Sequence, residues 1–344
     1  MEFDILFPWR RATAPRPSPI ALTRRDVRDL LEVDACIAAV EEAFRLHGAG
    51  RADPPGVLGI PVPEGGFHIK AGVLQLSRTY FAAKINANFP ANPTRHGLPT
   101  IQGVIVLADA ERGTLLALIE SGEITALRTA AATAVAAKHL ALPESRSATI
   151  VGCGVQGRAQ LRALSRVRRL EAVHACDQDP ARAEAYARQL AAELGVTVRA
   201  APDVAPVARV SDIVVTCTPA RRPVLGRDDV APGAFIAAVG ADHPEKQELD
   251  PALVAGSTLV VDVLEQAATL GDLHHALAAG VVTRDHVHAE LGEVVAGRKP
   301  GRRSPQETIV FDSTGMALQD VAAAAAVYER AVQAGRGRPV PLDA

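Results

Sequence analysis

The stretch Ala148–Gly157, which reads Ala-Thr-Ile-Val-Gly-Cys-Gly-Val-Gln-Gly, decides the fold of this chain. Its apolar first part is typical of a buried strand, and Gly152-x-Gly154-x-x-Gly157 follows at once. A helical pattern of apolar residues begins directly after the glycines. This strand–turn–helix order predicts a dinucleotide-binding unit, in which the glycines let the backbone approach a pyrophosphate and the helix N-terminus binds it.

A second predicted strand supports the same interpretation. Ala172–Cys176 is mostly apolar and leads into Asp177. A carboxylate at this position accepts hydrogen bonds from the adenosine ribose and repels a 2′-phosphate. The sequence therefore predicts NAD rather than NADP as the cofactor.

Composition narrows the class of protein. A chain of 344 residues with 48% hydrophobic content predicts two domains with buried cores. The formal net charge of −2 argues against a nucleic-acid partner or an anionic membrane surface. The four cysteines show no metal-ligand spacing, so we predict no metal site and reduced, buried thiols in a cytoplasmic protein.

The N-terminal segment does not resemble a targeting sequence. The first 20 residues carry three arginines among four prolines and lack the apolar core of a signal peptide. We expect an extended arm. Because no apolar run approaches the roughly 20 residues that span a bilayer, we predict no membrane partner.

The chain between the arm and the glycine-rich turn alternates helical and strand patterns. We predict a strand at 20–22, one amphipathic helical stretch from Val27 to Gly48, and a long helix from Glu123 to Leu140. Between the two helices lie four predicted strands, Phe67–Gly72, Thr79–Asn88, Ile101–Leu107 and Leu115–Glu120.

The second half of the chain alternates strands with helices, which predicts a doubly wound, mostly parallel sheet. Its strands are expected near 148–152, 172–177, 196–199, 212–217, 234–239 and 258–262. A C-terminal helix from Met316 to Ala334 is expected to fold back onto the first domain.

Three charged residues are candidates for chemistry. Lys84 lies inside a predicted strand, and Arg128 lies in an alanine-rich helix, where a guanidinium can bind a carboxylate. Asp242 follows a predicted strand at its carboxyl end, where a catalytic acid or base is expected. The structural alternatives are an edge-strand surface charge, a structural ion pair and a turn-forming aspartate, respectively.

Taken together, these segments resemble the ornithine cyclodeaminase/mu-crystallin family from about residue 20 to 340. The matching motifs are Lys84-x-x-x-x-x-Pro90-x-Asn92, Gly97-Leu-Pro-Thr100, Thr125-Ala-Leu-Arg128-Thr129-Ala-Ala, Val151-Gly-Cys-Gly-Val-Gln156, Gly240-Ala-Asp242-x-Pro-x-Lys246-x-Glu-Leu and Phe311-Asp-Ser-Thr-Gly315.

The resemblance implies a Rossmann NAD-binding domain, residues 139–312, and a second α/β domain built from residues 1–138 and 313–344. This second domain would bind substrate and form a homodimer. By the same resemblance, Lys84 and Arg128 hold the substrate α-carboxylate, and Asp242 handles the proton on the substrate nitrogen or its attacking water. The positions that would line the dinucleotide are Thr100, Thr129, Gly152, Gly154, Val155, Gln156, Gly157, Asp177, Thr218, Lys246 and Ser313.

The chain departs from the family pattern at one position. Many members carry a further basic residue after the Pro-Pro step, where this chain has Gly56. Lys70 stands nearby, where many members have an uncharged residue. We therefore hypothesise that Lys70 either replaces the lost carboxylate anchor or binds a second acidic group of the substrate. The alternative is a solvent-facing strand lysine.

Three functions remain open from the sequence. The residues at the motif positions favour an NAD-dependent amino-acid dehydrogenase or imine reductase that acts on a small α-amino or imino acid. A second possibility is an ornithine cyclodeaminase, in which the hydride returns to the product and no net redox change occurs. A third is a protein that binds dinucleotide and ligand without turnover, against which the retained Lys84, Arg128 and Asp242 argue.

Overall fold

The computed structural model describes residues 18–53 and 55–342, and the expected N-terminal arm lies outside them. One mixed sheet, sheet A, contains seven strands, which are β1 (Ile20–Leu22), β2 (Gly56–Val62), β3 (Gly65–Gln75), β4 (Thr79–Asn88), β5 (Ile101–Asp109), β6 (Thr114–Glu120) and a late strand, β17 (Arg338–Pro339). Their order is β17-β1-β6-β5-β4-β3-β2. All neighbours in this sheet are antiparallel except β1 and β6.

The second sheet, sheet B, is parallel and contains eight strands, which are β7 (Ser147–Val151), β8 (Ala172–Cys176), β9 (Thr197–Ala200), β10 (Ile213–Thr216), β12 (Phe235–Ala238), β14 (Thr258–Val261), β15 (Val287–Glu290) and β16 (Ile309–Asp312). Their order is β15-β14-β16-β12-β10-β7-β8-β9. Two short strands, β11 (Arg221–Leu225) and β13 (Gln247–Leu249), pair separately. The predicted α/β fold with a doubly wound sheet is confirmed.

Two strands of sheet B were not predicted. β16 inserts between β12 and β14, and β15 extends the edge beyond β14. Both lie beyond residues 148–262, the region in which the alternation of strands and helices was predicted. The insertion matters because β16 brings Asp312-Ser-Thr-Gly315 to the same edge of the sheet as the glycine-rich turn.

The helices are α1 (Arg24–Leu30), α2 (Val33–Gly48), α3 (Asn92–Arg95), α4 (Ser121–Leu140), α5 (Val155–Val167), α6 (Pro180–Leu194), α7 (Val204–Ala208), α8 (Pro251–Ala255), α9 (Leu264–Ala267), α10 (Gly271–Ala278), α11 (Leu291–Val295) and α12 (Ala317–Gln333). Among the described residues, no helix combines the length and apolar character needed to cross a bilayer. The single helical stretch predicted before Gly48 is wrong, because Leu31 and Glu32 leave the helical conformation and separate α1 from α2.

Sheet A has two faces of different character. The buried residues of β4 alternate along the strand, as in Tyr80, Ala82, Lys84 and Asn86, and define an inner face. α12 covers this face, since a Cβ on Gly72 of β3 would lie 3.0 Å from Leu318. The predicted return of the C-terminal helix to the first domain is therefore confirmed.

The outer face of sheet A is apolar and exposed. Its register places Leu58 opposite Ile69 and Ile60 opposite Phe67, with Ile85 next to Ile69 on the following strand. These side chains include the exposed Leu58, Ile60, Phe67 and Ile85. β2, which supplies part of this face, is not among the strands predicted from the sequence.

Candidate active site

The glycine-rich turn after β7 has the geometry that a bound pyrophosphate requires. Gly154 is the N-cap of α5, and a Cβ there would meet no atom within 4 Å. A Cβ on Gly157 would lie 2.0 Å from the Gly152 carbonyl oxygen, so only glycine fits between helix and turn. Val155 is exposed at the start of the helix, where unpaired backbone N–H groups attract phosphate.

Asp177 closes the other side of this turn. Its Oδ2 accepts a hydrogen bond from the Cys153 N–H at 2.9 Å, and its Oδ1 accepts one from the Asp179 N–H at 3.0 Å. A cavity of about 510 Å³ opens beside it, and its wall includes Gly152, Asp177, Asp179, Arg182 and Thr218. A carboxylate at the rim of a cavity next to the turn fits the adenosine end of NAD.

Two buried polar atoms among the predicted cofactor residues lack partners within the described chain. They are Gln156 Nε2, at the start of α5, and Ser313 Oγ, just after β16. Because an unpaired buried polar atom is costly, both are consistent with a ligand that bonds them. Thr129 is buried on α4 beside Arg128, and Thr100 lies just before β5.

Lys84 and Arg128 share one buried carboxylate, Asp320 of α12. The Lys84 Nζ lies 2.9 Å from Asp320 Oδ1, and the Arg128 Nε donates to the same oxygen at 3.0 Å. Arg128 Nη1 donates to Gln319 at 3.0 Å. All three charged side chains are almost fully buried. Sequence analysis missed Asp320, although an acidic residue on the apolar helix α12 was a visible signal.

The electrostatics of this trio depend on burial. Burial, reinforced by the nearby Arg128 charge, lowers the pKa of Lys84 to about 7. Burial would raise the pKa of Asp320, but the charges of Lys84 and Arg128 outweigh it and keep that pKa below its ordinary value. When both are protonated, Lys84 and Arg128 carry two positive charges, and Asp320 balances one of them. The remaining positive charge can bind a further carboxylate.

Lys70 lies directly opposite Lys84 across the β3–β4 pair. Its Nζ donates to the backbone carbonyls of Thr314 at 3.0 Å and Gly315 at 2.6 Å. Gly56 pairs instead with Ala71, which places position 56 on the outer face of sheet A. Lys70 therefore approaches the pocket from the strand beside Lys84, and not from the position of the missing basic residue.

Asp242 lies in the loop after β12, and its carboxylate is 2.6 Å from Lys246 Nζ. Its side chain is half exposed; the desolvation that remains would raise its pKa, but the charges of Lys246, Lys70 and His68 outweigh this effect and hold the pKa below the ordinary value. The loop faces the inner side of sheet A, since the rings of His243 and His68 are 6.2 Å apart. Lys246, which was predicted to line the dinucleotide, is thus the ion-pair partner of Asp242.

Two further carboxylates, also missed from the sequence, fix the loops around the site. Buried Glu248 accepts hydrogen bonds from the Thr218 N–H at 2.6 Å, the Thr218 hydroxyl at 2.7 Å and the Gly240 N–H at 2.7 Å. Buried Asp262 accepts from the Thr314 hydroxyl at 2.8 Å and the Gly315 N–H at 2.5 Å. They tie together the segments that follow β10, β12, β14 and β16.

Comparison with known proteins finds relatives along most of the chain. The chain matches the model of the ornithine cyclodeaminase/mu-crystallin family over residues 18–335. It is 38% identical over 321 residues to an alanine dehydrogenase of Archaeoglobus fulgidus, which covers 93% of this chain and 98% of the relative.

Solved structures extend the similarity to three dimensions. An archaeal alanine dehydrogenase dimer with bound NAD has a TM-score of 0.90 and 38% identity, covering 94% of this chain and 99% of that chain. The Δ1-pyrroline-2-carboxylate reductase of Thermococcus litoralis, in complex with NADH and L-proline, has a TM-score of 0.89 and 35% identity, covering 93% of this chain and 100% of that chain.

Asp320→Asn is expected to destabilise the protein, because it removes the only carboxylate that Lys84 and Arg128 share in the described chain. The free energy of unfolding should fall by about 3 kcal/mol, the lower end for breaking a buried ion pair, since Lys84 can lose its proton. Urea denaturation measures the change. The exposed Asp285→Asn is the control and should shift it by less than about 0.5 kcal/mol. Equal stability of both variants would contradict the role given to Asp320.

Proposed function

Because the chain belongs to the ornithine cyclodeaminase/mu-crystallin family, we propose that Lys84, Arg128 and Asp242 form the active site of an NAD-dependent oxidoreductase. The enzyme exchanges a hydride between nicotinamide and the Cα of a small α-amino or imino acid. In this proposal residues 139–312 bind the cofactor, and residues 1–138 with 313–344 bind the substrate. One observation supports the proposal most directly. The buried cations Lys84 and Arg128 surround Asp320, and the loop that carries Asp242 lies across the cleft from them.

Lys84 and Arg128 bind the substrate α-carboxylate. Arg128 uses Nε and Nη1 on Asp320 and Gln319, which leaves Nη2 for the substrate. Lys84 supplies an ammonium next to it. Because Asp320 fixes both cations before the substrate arrives, the carboxylate enters a preorganised site and orients Cα toward the nicotinamide.

Bound NAD accepts the hydride from Cα in the oxidative direction and returns one in the reductive direction. The residues proposed to hold it are Thr100, Thr129, Gly152, Gly154, Val155, Gln156, Gly157, Asp177, Thr218 and Ser313. Lys246 is proposed to contribute to the cofactor site through its ion pair with Asp242. The turn, the acidic rim at Asp177 and the unpaired Gln156 and Ser313 atoms support this assignment.

Asp242 moves the proton. Lys246 keeps its carboxylate ionised, so it is ready to accept a proton from the substrate nitrogen or from the water that attacks the imine. In the reverse direction the same carboxylate returns the proton. Lys84, whose pKa is about 7, is the second group near the substrate that can exchange a proton at neutral pH.

The pocket charge favours net oxidation or reduction over cyclodeamination. A diamino acid such as ornithine brings a side-chain ammonium that requires an anionic partner. The inner face of sheet A presents Lys70 beside Lys84 instead, and like charges repel. The same charges argue against a site without turnover, because two buried cations share a single carboxylate, Asp320, and leave one positive charge for a ligand to balance.

The outer face of sheet A supports a homodimer. Its cluster of exposed apolar side chains is rimmed by polar loops, which marks a protein–protein interface. The included side chains are Leu58 (54% exposed), Ile60 (46%), Phe67 (38%) and Ile85 (38%). A second copy of the same face is a matching partner, since symmetric pairing buries apolar surface on both sides.

The reaction type can be measured from nicotinamide absorbance and ammonia release with a panel of amino acids. We expect equal amounts of NADH and ammonia, and Asp242→Asn should lower kcat by about 100- to 10,000-fold, because it removes the proton acceptor. Glu245→Gln, an exposed residue of the same loop, should keep activity. Ammonia released from ornithine without net NADH would establish cyclodeamination and contradict the proposal.

The pH dependence of carboxylate binding should report on Lys84. Its lowered pKa means that the ammonium is charged only below about pH 7. The affinity for a non-reacting carboxylate such as propionate should therefore fall as pH rises through that value, as measured by calorimetry. Lys84→Arg should abolish the dependence, because a guanidinium stays protonated, and Lys70→Arg is the matched control that retains it. A flat profile in the unmodified protein would refute this assignment.

The homodimer is tested by introducing a charge on the outer face of sheet A. Ile85→Asp places a carboxylate among the exposed apolar side chains, so the mass measured by size-exclusion chromatography with light scattering should change from dimer to monomer. Val332→Asp, an exposed position on α12, is the control and should stay dimeric. A monomeric unmodified protein would exclude this interface.

A further inference from the structure

Two basic side chains of β3 extend the pocket beyond the α-carboxylate cations. His68 and Lys70 are two residues apart on the inner face, opposite Asn86 and Lys84, so their Cα atoms are separated by about 7 Å. His68 faces the loop that carries Asp242 and His243. The pair therefore lines the wall between the carboxylate anchors and the proton-transfer residue.

The charged surroundings of His68 are mainly basic. They consist of one acid, Asp242, and three basic groups, Lys70, His243 and Lys246. The one anion, Asp242, is already paired with Lys246 at 2.6 Å. His68 is partly buried, and this burial lowers its pKa.

Lys70 is also without a carboxylate of its own. Asp320, one acid near it, is bonded to Lys84 and Arg128. Asp262, another, accepts hydrogen bonds from Thr314 and Gly315. Within the described residues Lys70 donates to two backbone carbonyls and to no carboxylate, so one of the three N–H bonds of its ammonium remains for a ligand.

This wall selects among substrate side chains. An apolar side chain would leave the Lys70 ammonium without a counter-charge, at a cost in desolvation. A side-chain ammonium would meet repulsion from Lys70. A carboxylate would accept hydrogen bonds from both Lys70 and His68 and would balance the excess positive charge.

We propose that the substrate is a short α-amino or imino dicarboxylic acid whose second carboxylate binds between Lys70 and His68. The proposal rests on the function proposed above, with the first carboxylate on Lys84 and Arg128. Lys84 and Arg128 form one group, because Asp320 joins them. Lys70 is separate from that group: it is bonded to the Thr314–Gly315 backbone and shares its strand face with His68, and it is therefore assigned to the second carboxylate.

The test compares kcat/KM of the full-length protein for L-aspartate and L-glutamate with that for L-alanine, using NAD as acceptor. We expect at least one dicarboxylate to exceed alanine by about tenfold or more, which corresponds to one charge-assisted hydrogen bond. Lys70→Met and His68→Gln should each lower the dicarboxylate value by about 10- to 100-fold, mainly through KM. Alanine turnover should fall by a smaller factor than dicarboxylate turnover in both variants, so the ratio of the two kcat/KM values is the readout.

The outcomes separate this inference from the proposed function. A preference for alanine in the unmodified protein, or an equal loss for all substrates in Lys70→Met, would overturn the second-carboxylate site and leave the oxidoreductase intact. The equal loss would identify Lys70 as a third α-carboxylate anchor. If no amino acid reduces NAD in the presence of the unmodified protein, the proposed function itself fails.

A binding measurement keeps the site testable without turnover. Calorimetry with succinate and propionate should show tighter binding of succinate, and His68→Gln should remove the difference. Lys138→Met, at the exposed end of α4, is the matched lysine control and should bind both as the unmodified protein does. Equal affinity for the two acids in the unmodified protein would contradict the proposal, and the His68 variant carries the test if Lys70→Met does not fold.

Discussion

The buried Asp320 carboxylate is the interaction on which the rest of the structure depends. It joins three elements that are far apart in the chain: β4 through Lys84, α4 through Arg128, and the C-terminal helix α12. Without this anion the Lys84 ammonium would lose its proton and the Arg128 guanidinium would be an uncompensated buried charge, because desolvation disfavours the ionised form. The C-terminal segment therefore has to return to the first domain for the carboxylate pocket to exist.

The return path also links the pocket to the cofactor domain. The chain leaves sheet B at Asp312 and passes through Thr314 and Gly315 before α12 begins. Lys70 and Asp262 bond this short passage from opposite sides, one from sheet A and one from sheet B. Glu248 similarly holds the loops that follow β10 and β12. Asp262 and Glu248, which were not candidates for chemistry, thus help to determine where Asp242 stands relative to the two cations.

The sequence predicted the parts of the site whose signal is local. The turn at Gly152–Gly157, the acid Asp177 and most strands of sheet B follow from spacing and periodicity within a few residues. Strand β16 was not predicted, because it lies beyond residues 148–262, where the alternation of strands and helices was predicted, and α1 and α2 were merged because their apolar pattern continues across Leu31. These errors arise where no local pattern marks a strand or a turn.

What the sequence by itself determined is the fold class, the glycine-rich turn, the unusual charges Lys84 and Arg128 in apolar surroundings, and Asp242 as an acid at the end of a strand. The tertiary structure alone decided that Asp320 is their partner, that Lys70 and His68 share one face of β3, and that position 56 lies on the opposite face. The physical reason is that strand register and helix packing set these contacts. Asp320 is 236 residues from Lys84 along the chain, and no local pattern encodes a contact over that separation.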